Sequence, residues 1–126
     1  MTVEHRIRLQ AAWRVAAGGM VWTRAFGMPA GIGPRDRLWL EIAQPTACSA
    51  TLNGRILPPV VTCTAPWRHD VTADLRDRND LRLEFPAALR DCGAVDRVPL
   101  PDTAGSVALV IATDAGDPRA LDMRSA

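Results

Sequence analysis

Asn53-Gly54 stands between two short extended runs, Ala47 to Leu52 and Arg55 to Leu57. No other feature limits the fold so tightly. Both residues accept positive φ, so the pair closes a two-residue hairpin. Pro58-Pro59 then ends regular pairing, because neither ring nitrogen can donate a ladder hydrogen bond. A lone hairpin is marginal in water and needs further strands against its apolar face, so the remaining chain must supply them.

It does so by period-two alternation. In Glu4 to Gln10, Ile7 and Leu9 oppose Arg6, Arg8 and Gln10, and Trp13 and Val15 continue the parity until Gly18-Gly19 breaks it. Met20 to Phe26 puts Val21, Thr23 and Ala25 on one face and Trp22, Arg24 and Phe26 on the other. Gly27 to Arg35 is a loop by its glycines and prolines. In Arg37 to Ala43, Leu38, Leu40 and Ile42 face inward, which places Trp39 on the polar side with Arg37 and Glu41. Val60 to Thr64 and Trp67 to Thr72 are further extended segments. Thr72 is positioned to cap a short helical turn, Ala73 to Arg76, and Asp77 to Asp80 is a turn by composition. Leu81, Leu83 and Phe85 alternate with Arg82 and Glu84. Pro86 to Arg90 suits one helical turn, and Cys92 to Thr103 is a turn-rich connection. Ser106 to Thr113, with its VALVIA core, suits a central strand covered on both faces. Residues 114–126 are expected to form a loose tail, with one short strand around Arg119 to Met123.

About eight strands at a spacing near ten residues, with no amphipathic helix, imply one all-β domain over residues 1–126. An antiparallel, jelly-roll-like β-sandwich is the expected architecture. The net charge of +1 offers no basic surplus to attract nucleic acid or an anionic membrane. The longest apolar run is too short to span a bilayer. Cys48, Cys63 and Cys92 show no CxxC spacing, so thiols in a reducing cytoplasm are expected. A Cys48–Cys63 bridge is the alternative for an exported domain.

The order Leu52-Asn53-Gly54, Asp70-Val71-Thr72, Leu75, Asn79 and Leu81-Arg82-Leu83-Glu84 resembles the sugar-binding jelly-roll domain of the family-two glycoside hydrolases, within the galactose-binding-domain-like fold. The match covers about a third of the chain. It implies fold-making roles: Asp70 and Thr72 satisfy backbone donors, Leu75 enters the core, and Asn79 tolerates a strained turn. The loop in which those hydrolases usually carry a histidine, paired glycines and an aromatic is here Arg55 to His69, with Pro58-Pro59 and no Gly. A chain of this length has no room for the barrel domain that holds their catalytic carboxylates. The resemblance therefore implies a sandwich with a possible sugar contact, without hydrolysis.

No nucleophile–base–orienter set stands out around His5 and His69, and Glu41 and Glu84 sit at outward positions on separate strands. No cofactor is expected. A loop calcium site drawing on Asp114 and Asp117 is the one metal alternative. The expected function is a non-catalytic binding module for carbohydrate, in which flat rings meet sugar C–H faces and polar groups meet the hydroxyls. The candidate ligand-binding residues are Trp22, Trp39 and Trp67, with Arg24, Arg68 and His69; Trp13 is expected in the core. The alternative is a structural or protein-interaction sandwich without a sugar ligand, self-associating through an apolar patch around Trp39.

Overall fold

The computed structural model describes residues 2–16, 18–89 and 95–114. The strands are β1 (Thr2–Arg8), β2 (Trp13–Val15), β3 (Val21–Gly27), β4 (Asp36–Ala43), β5 (Ser49–Leu52), β6 (Arg55–Ile56), β7 (Trp67–Asp70), β8 (Arg78–Glu84), β9 (Val95–Val98) and β10 (Ser106–Asp114). They form two antiparallel sheets, a four-stranded one in the order β1-β10-β4-β7 and a six-stranded one in the order β6-β5-β8-β3-β2-β9. The all-β sandwich expected from the alternation is the fold observed, with ten strands among the described residues rather than about eight.

Residues directly opposite one another in an antiparallel pair project to the same face, so the registers sort the side chains. Leu38, Leu40 and Ile42 of β4 face Ile111, Leu109 and Val107 of β10. From the other sheet, Trp22 pairs with Leu83, Ala50 with Leu83 and Leu52 with Leu81. These inner faces meet, with Trp13, Val15, Trp22, Ala50, Leu81 and Leu83 fully buried.

The extra strands come from places where alternation alone misled. Trp13 does not extend β1. Ala12 takes φ 64°, and the chain crosses there to the second sheet. Gln10 braces the crossing: its Nε2 donates to the carbonyls of Leu100 (3.0 Å) and Gly105 (3.1 Å), and its Oε1 accepts from Val107 N–H (3.0 Å). Trp13 Nε1 donates to Leu9 O at 2.6 Å. The connection after Cys92 contains β9 and a 3₁₀ turn, Asp102–Ala104. Of Val60 to Thr64, only Val60 pairs, through an isolated bridge to Cys48. Cys48 and Cys63 are both free, so the bridge considered for them is not formed. Cys92, most of the expected tail and its strand at Arg119 to Met123 lie outside the described residues.

Asn53-Gly54 behaves as expected, with φ 52° and 83° in the β5–β6 turn. The region after β7 is only partly so. Thr72 does not cap a helix; Val71 O accepts from the N–H groups of Asp74 (2.9 Å) and Leu75 (3.2 Å), which makes a single turn. Arg78 to Asp80 of the expected Asp77 to Asp80 turn are instead the start of β8, and Asn79 is not in the left-handed region. It is 1% exposed and acts through its side chain. Asn79 Oδ1 accepts from Asn53 Nδ2 (2.9 Å) and Arg76 N–H (2.8 Å), and its Nδ2 donates to Arg76 O (2.8 Å) and Phe26 O (3.3 Å). The amide replaces bonds that backbone turns would otherwise make, so the strand can begin early.

Candidate functional site

The six candidate residues fall on three separate surfaces. Trp22 is fully buried on the inner face of β3, and its Nε1 donates to Gly19 O at 3.0 Å. It has no ring face to offer a ligand and belongs with Trp13 in the core. Arg24 lies on the same inward parity, opposite Leu81. It is half-buried and donates to the carbonyls of Ala11 (2.7 Å) and Ala25 (2.8 Å), close to the crossing at Ala12. Burial lowers its pKa below the ordinary guanidinium value.

Trp67 and His69 sit on the edge strand β7, opposite Ile42 and Leu40, and so on the inward parity of the four-stranded sheet. Their rings stack with centroids 6.2 Å apart, and both are half-buried. Trp67 packs against the core.

Trp39 and Arg68 share a different surface, the outer face of the four-stranded sheet. Trp39 is half-buried, opposite Val110 on one side and Asp70 on the other. Arg37 pairs with Asp70 at 2.8 Å, and Thr72 holds Asp70 in turn through its hydroxyl (2.6 Å) and N–H (2.9 Å). The hydroxyl of Thr72 also accepts from Leu38 N–H at 2.9 Å, the backbone role the motif implied.

Beside Trp39 lies a closed ionic group. Arg6 Nε and Nη2 donate to the two oxygens of Glu41 at 3.0 and 3.2 Å. Arg68 Nε donates to Glu41 Oε2 at 2.6 Å, and its two terminal nitrogens donate to Glu4 at 2.9 Å each. Glu4 and Arg68 stand on opposite edges of the sheet, about 14 Å apart across its strands and offset along them, since the register sets Arg68 level with Arg8, so their side chains meet over the strands between. Ala108 and Ala112 make this possible, since small side chains let the arms lie flat. Ala108, Val110 and Ala112 are 7%, 0% and 8% exposed although they face outward. The doubly covered strand read from VALVIA is therefore covered outside by its neighbours' side chains, Trp39 and Arg6 opposite Val110 and charged stems opposite Ala108 and Ala112.

Burial alone would raise the pKa of Glu41, but Arg6 and Arg68 outweigh it and hold the carboxylate below the ordinary value. Glu4 is lowered too, chiefly by its hydrogen bonds from Arg68. The alternation placed Glu41 outward but gave no hint of its burial. The signal was present in the run of small and apolar residues at Ala108, Val110 and Ala112, which requires something to lie over it.

Among the described residues, no group of three or more His, Cys, Asp or Glu is arranged to hold a metal ion. Asp117, one of the two carboxylates considered for calcium, lies outside them. No described helix is long and apolar enough to cross a membrane.

No family model matches the sequence, and neither does any curated protein. Solved structures do match. The β-glucuronidase of Faecalibacterium prausnitzii superposes with a TM-score of 0.62 at 14% identity, over 89% of this chain and 32% of that one. The Bifidobacterium dentium β-glucuronidase, solved with coumarin-3-O-glucuronide, gives 0.60 at 17% identity over 86% and 30%. The Ruminococcus gnavus β-glucuronidase gives 0.59 at 11% over 86% and 28%. This chain spans about a third or less of the length of these enzymes. It has the fold of a β-sandwich segment within β-glucuronidases, in keeping with the family-two glycoside hydrolase resemblance carried by Leu52-Asn53-Gly54 and Asp70-Val71-Thr72.

Proposed function

We propose that this chain is a non-catalytic binding module whose ligand is carbohydrate, held on the outer face of the four-stranded sheet around Trp39. The observation that carries the reading is a half-exposed indole framed on its own face by two guanidinium–carboxylate pairs, Arg37–Asp70 and Arg68–Glu41. A flat ring accepts the C–H face of a sugar, and the flanking charged groups meet its hydroxyls. Likeness to segments of sugar-cleaving enzymes supports the ligand class without transferring their activity.

The glutamates that Arg68 brings together do not suit hydrolysis, which supports the non-catalytic part of the reading. Glycoside hydrolysis needs one carboxyl that keeps its proton near neutral pH. Glu4 and Glu41, brought together by Arg68, are both held below their ordinary pKa and both stay ionised.

A glycan array, followed by intrinsic tryptophan fluorescence titration with the glycans that bind, tests the proposal. Trp39→Ala is expected to abolish binding while leaving the fold intact, and Arg68→Gln to weaken it. A silent array, or affinity that survives Trp39→Ala, refutes the sugar reading. One observation favours the alternative of a structural or protein-interaction sandwich: Arg68 and Glu41 are already engaged with each other and with Glu4 and Arg6.

A further inference from the structure

Among the described residues, the edges of the four-stranded sheet are β1 and β7. β1 is the longer, seven residues against four, and contains no Pro or Gly. Six of its seven residues are exposed and only Ile7 is half-buried. Val3, on the inward parity, is 52% exposed, among the more open apolar side chains of the described residues. Such an edge is a template for another strand.

The register restricts which strand can be added. Leu9 N–H donates to Val107 O at 2.9 Å, continuing the β1–β10 ladder. Backbone groups alternate sides along an antiparallel strand. Val3, His5 and Ile7 therefore direct theirs to β10, and Thr2, Glu4, Arg6 and Arg8 direct theirs to the open edge. An incoming antiparallel strand can bond only with these four.

For a second copy of β1 there are three central registers. A two-fold axis through Glu4 opposes two Glu4 side chains, and one through Arg6 opposes two Arg6 side chains. An axis through His5 sets Glu4 against the partner's Arg6 and Arg6 against the partner's Glu4. It also sets Val3 against the partner's Ile7, which covers the exposed Val3. Unlike charges and apolar pairs directly opposite stabilise a sheet, and like charges do the reverse.

We propose that two copies of this chain associate through β1 about a two-fold axis at His5, forming one continuous sheet from the two four-stranded sheets. The interface is isologous. Glu4 and Arg6 keep 31% and 50% of their side-chain surface exposed within one chain, so the ionic group over β10 can extend across the axis. An edge-to-edge contact of this length is small and belongs with weak, concentration-dependent association.

Sedimentation equilibrium over a wide concentration range is expected to show a reversible dimer. His5→Arg opposes two cations at the axis and should weaken it about fivefold, while His5→Val should tighten it. His5 is exposed, so neither change threatens the fold. A geometric test accompanies these. In a chain carrying Cys63→Ser and Cys92→Ser, His5→Cys faces its own copy in a non-hydrogen-bonded pair, the spacing a disulfide needs. It should oxidise to a covalent dimer much faster than Val3→Cys in the same background. A monomer at every concentration, or cross-linking no faster through position 5 than through position 3, overturns the proposal.

Discussion

Asn79→Ala should destabilise this protein more than a surface-sized change in side chain suggests. The amide is 1% exposed and serves four bonds on three segments: the Asn53 hairpin, the Arg76 turn and the end of β3 at Phe26. Removing it strands donors and acceptors that were desolvated on folding. Each net bond is worth about 1 kcal/mol, and stranded groups cost more. Arg76 is exposed, so water recovers part of the loss. A cost of about 3 kcal/mol results. For 126 residues that lowers the melting temperature by about 10 °C. Chemical denaturation followed by tryptophan fluorescence measures it, since Trp13 and Trp22 are buried and report the global transition. Asn79→Asp sharpens the test. It turns the donor that met Arg76 O and Phe26 O into a carboxylate oxygen, so the folded state favours the protonated acid and its pKa rises. A raised pKa gives stability that is present below the unfolded value and lost as pH rises through the folded one. The variant should therefore approach wild-type stability in acid and fall away towards neutral pH. An Asn79→Ala cost below about 1 kcal/mol, or an Asn79→Asp variant whose deficit does not grow with pH, would refute the network account.

Three further outcomes follow from the same structure. Glu41→Gln should cost about 1–2 kcal/mol at neutral pH, after allowance for the solvent around Arg6 and Arg68. Because the Glu41 pKa is lowered, its contribution is present above the ordinary 4.5 and lost as pH falls through the folded value, so wild type and variant should converge in an acid titration of stability. Gly105→Ala should cost at least about 3 kcal/mol, because φ is +95° and a Cβ would lie 2.7 Å from Ala43 O; a thermal melt within a few degrees of wild type would contradict the close approach. In a Cys92→Ser background, a thiol reagent should label exposed Cys63 in the folded protein and Cys48 only on unfolding, since burial pushes the Cys48 pKa up to about 11.

What could be read in advance divides along the range of the interactions. Asn53-Gly54 was legible because the turn's demand for positive φ is local. The inward parity of Leu38, Leu40 and Ile42 was legible because alternation in β4 is clean. The change of sheet between Leu9 and Trp13 was not, because Ala12 carries no mark of its left-handed conformation and both strands share one parity. Asn79 was read as a backbone device when it is a side-chain one; its partners Asn53 and Phe26 are distant in sequence. The candidate site suffered from the same limit. Trp22, Trp39 and Trp67 are alike as residues, and only the pairing of strands separates a core ring, an outer ring and an edge ring.

The outer face of the four-stranded sheet explains why fold and site are difficult to separate here. β10 needs cover on both sides, and among the described residues the second sheet lies on one side only. The other side is closed by Trp39 opposite Val110 and by charged side chains anchored on β1, β4 and β7. That solution leaves Glu41 buried and ionised, Arg68 tied to two carboxylates, and the indole of Trp39 half open to solvent on that face. The guanidiniums that would read a sugar's hydroxyls are thus also the roof of the strand beneath. A ligand on this face must add bonds at the free edges of an existing ionic group rather than displace it, because losing either partner of Glu41 uncovers β10. Binding through Trp39 should therefore be driven by ring contact and be only weakly sensitive to salt, whereas pairing through β1, which sets Glu4 and Arg6 against their copies, should weaken as salt screens them. Measuring both against ionic strength separates the two surfaces: a sugar affinity that falls steeply with salt would mean that the ionic group, not the indole, holds the ligand.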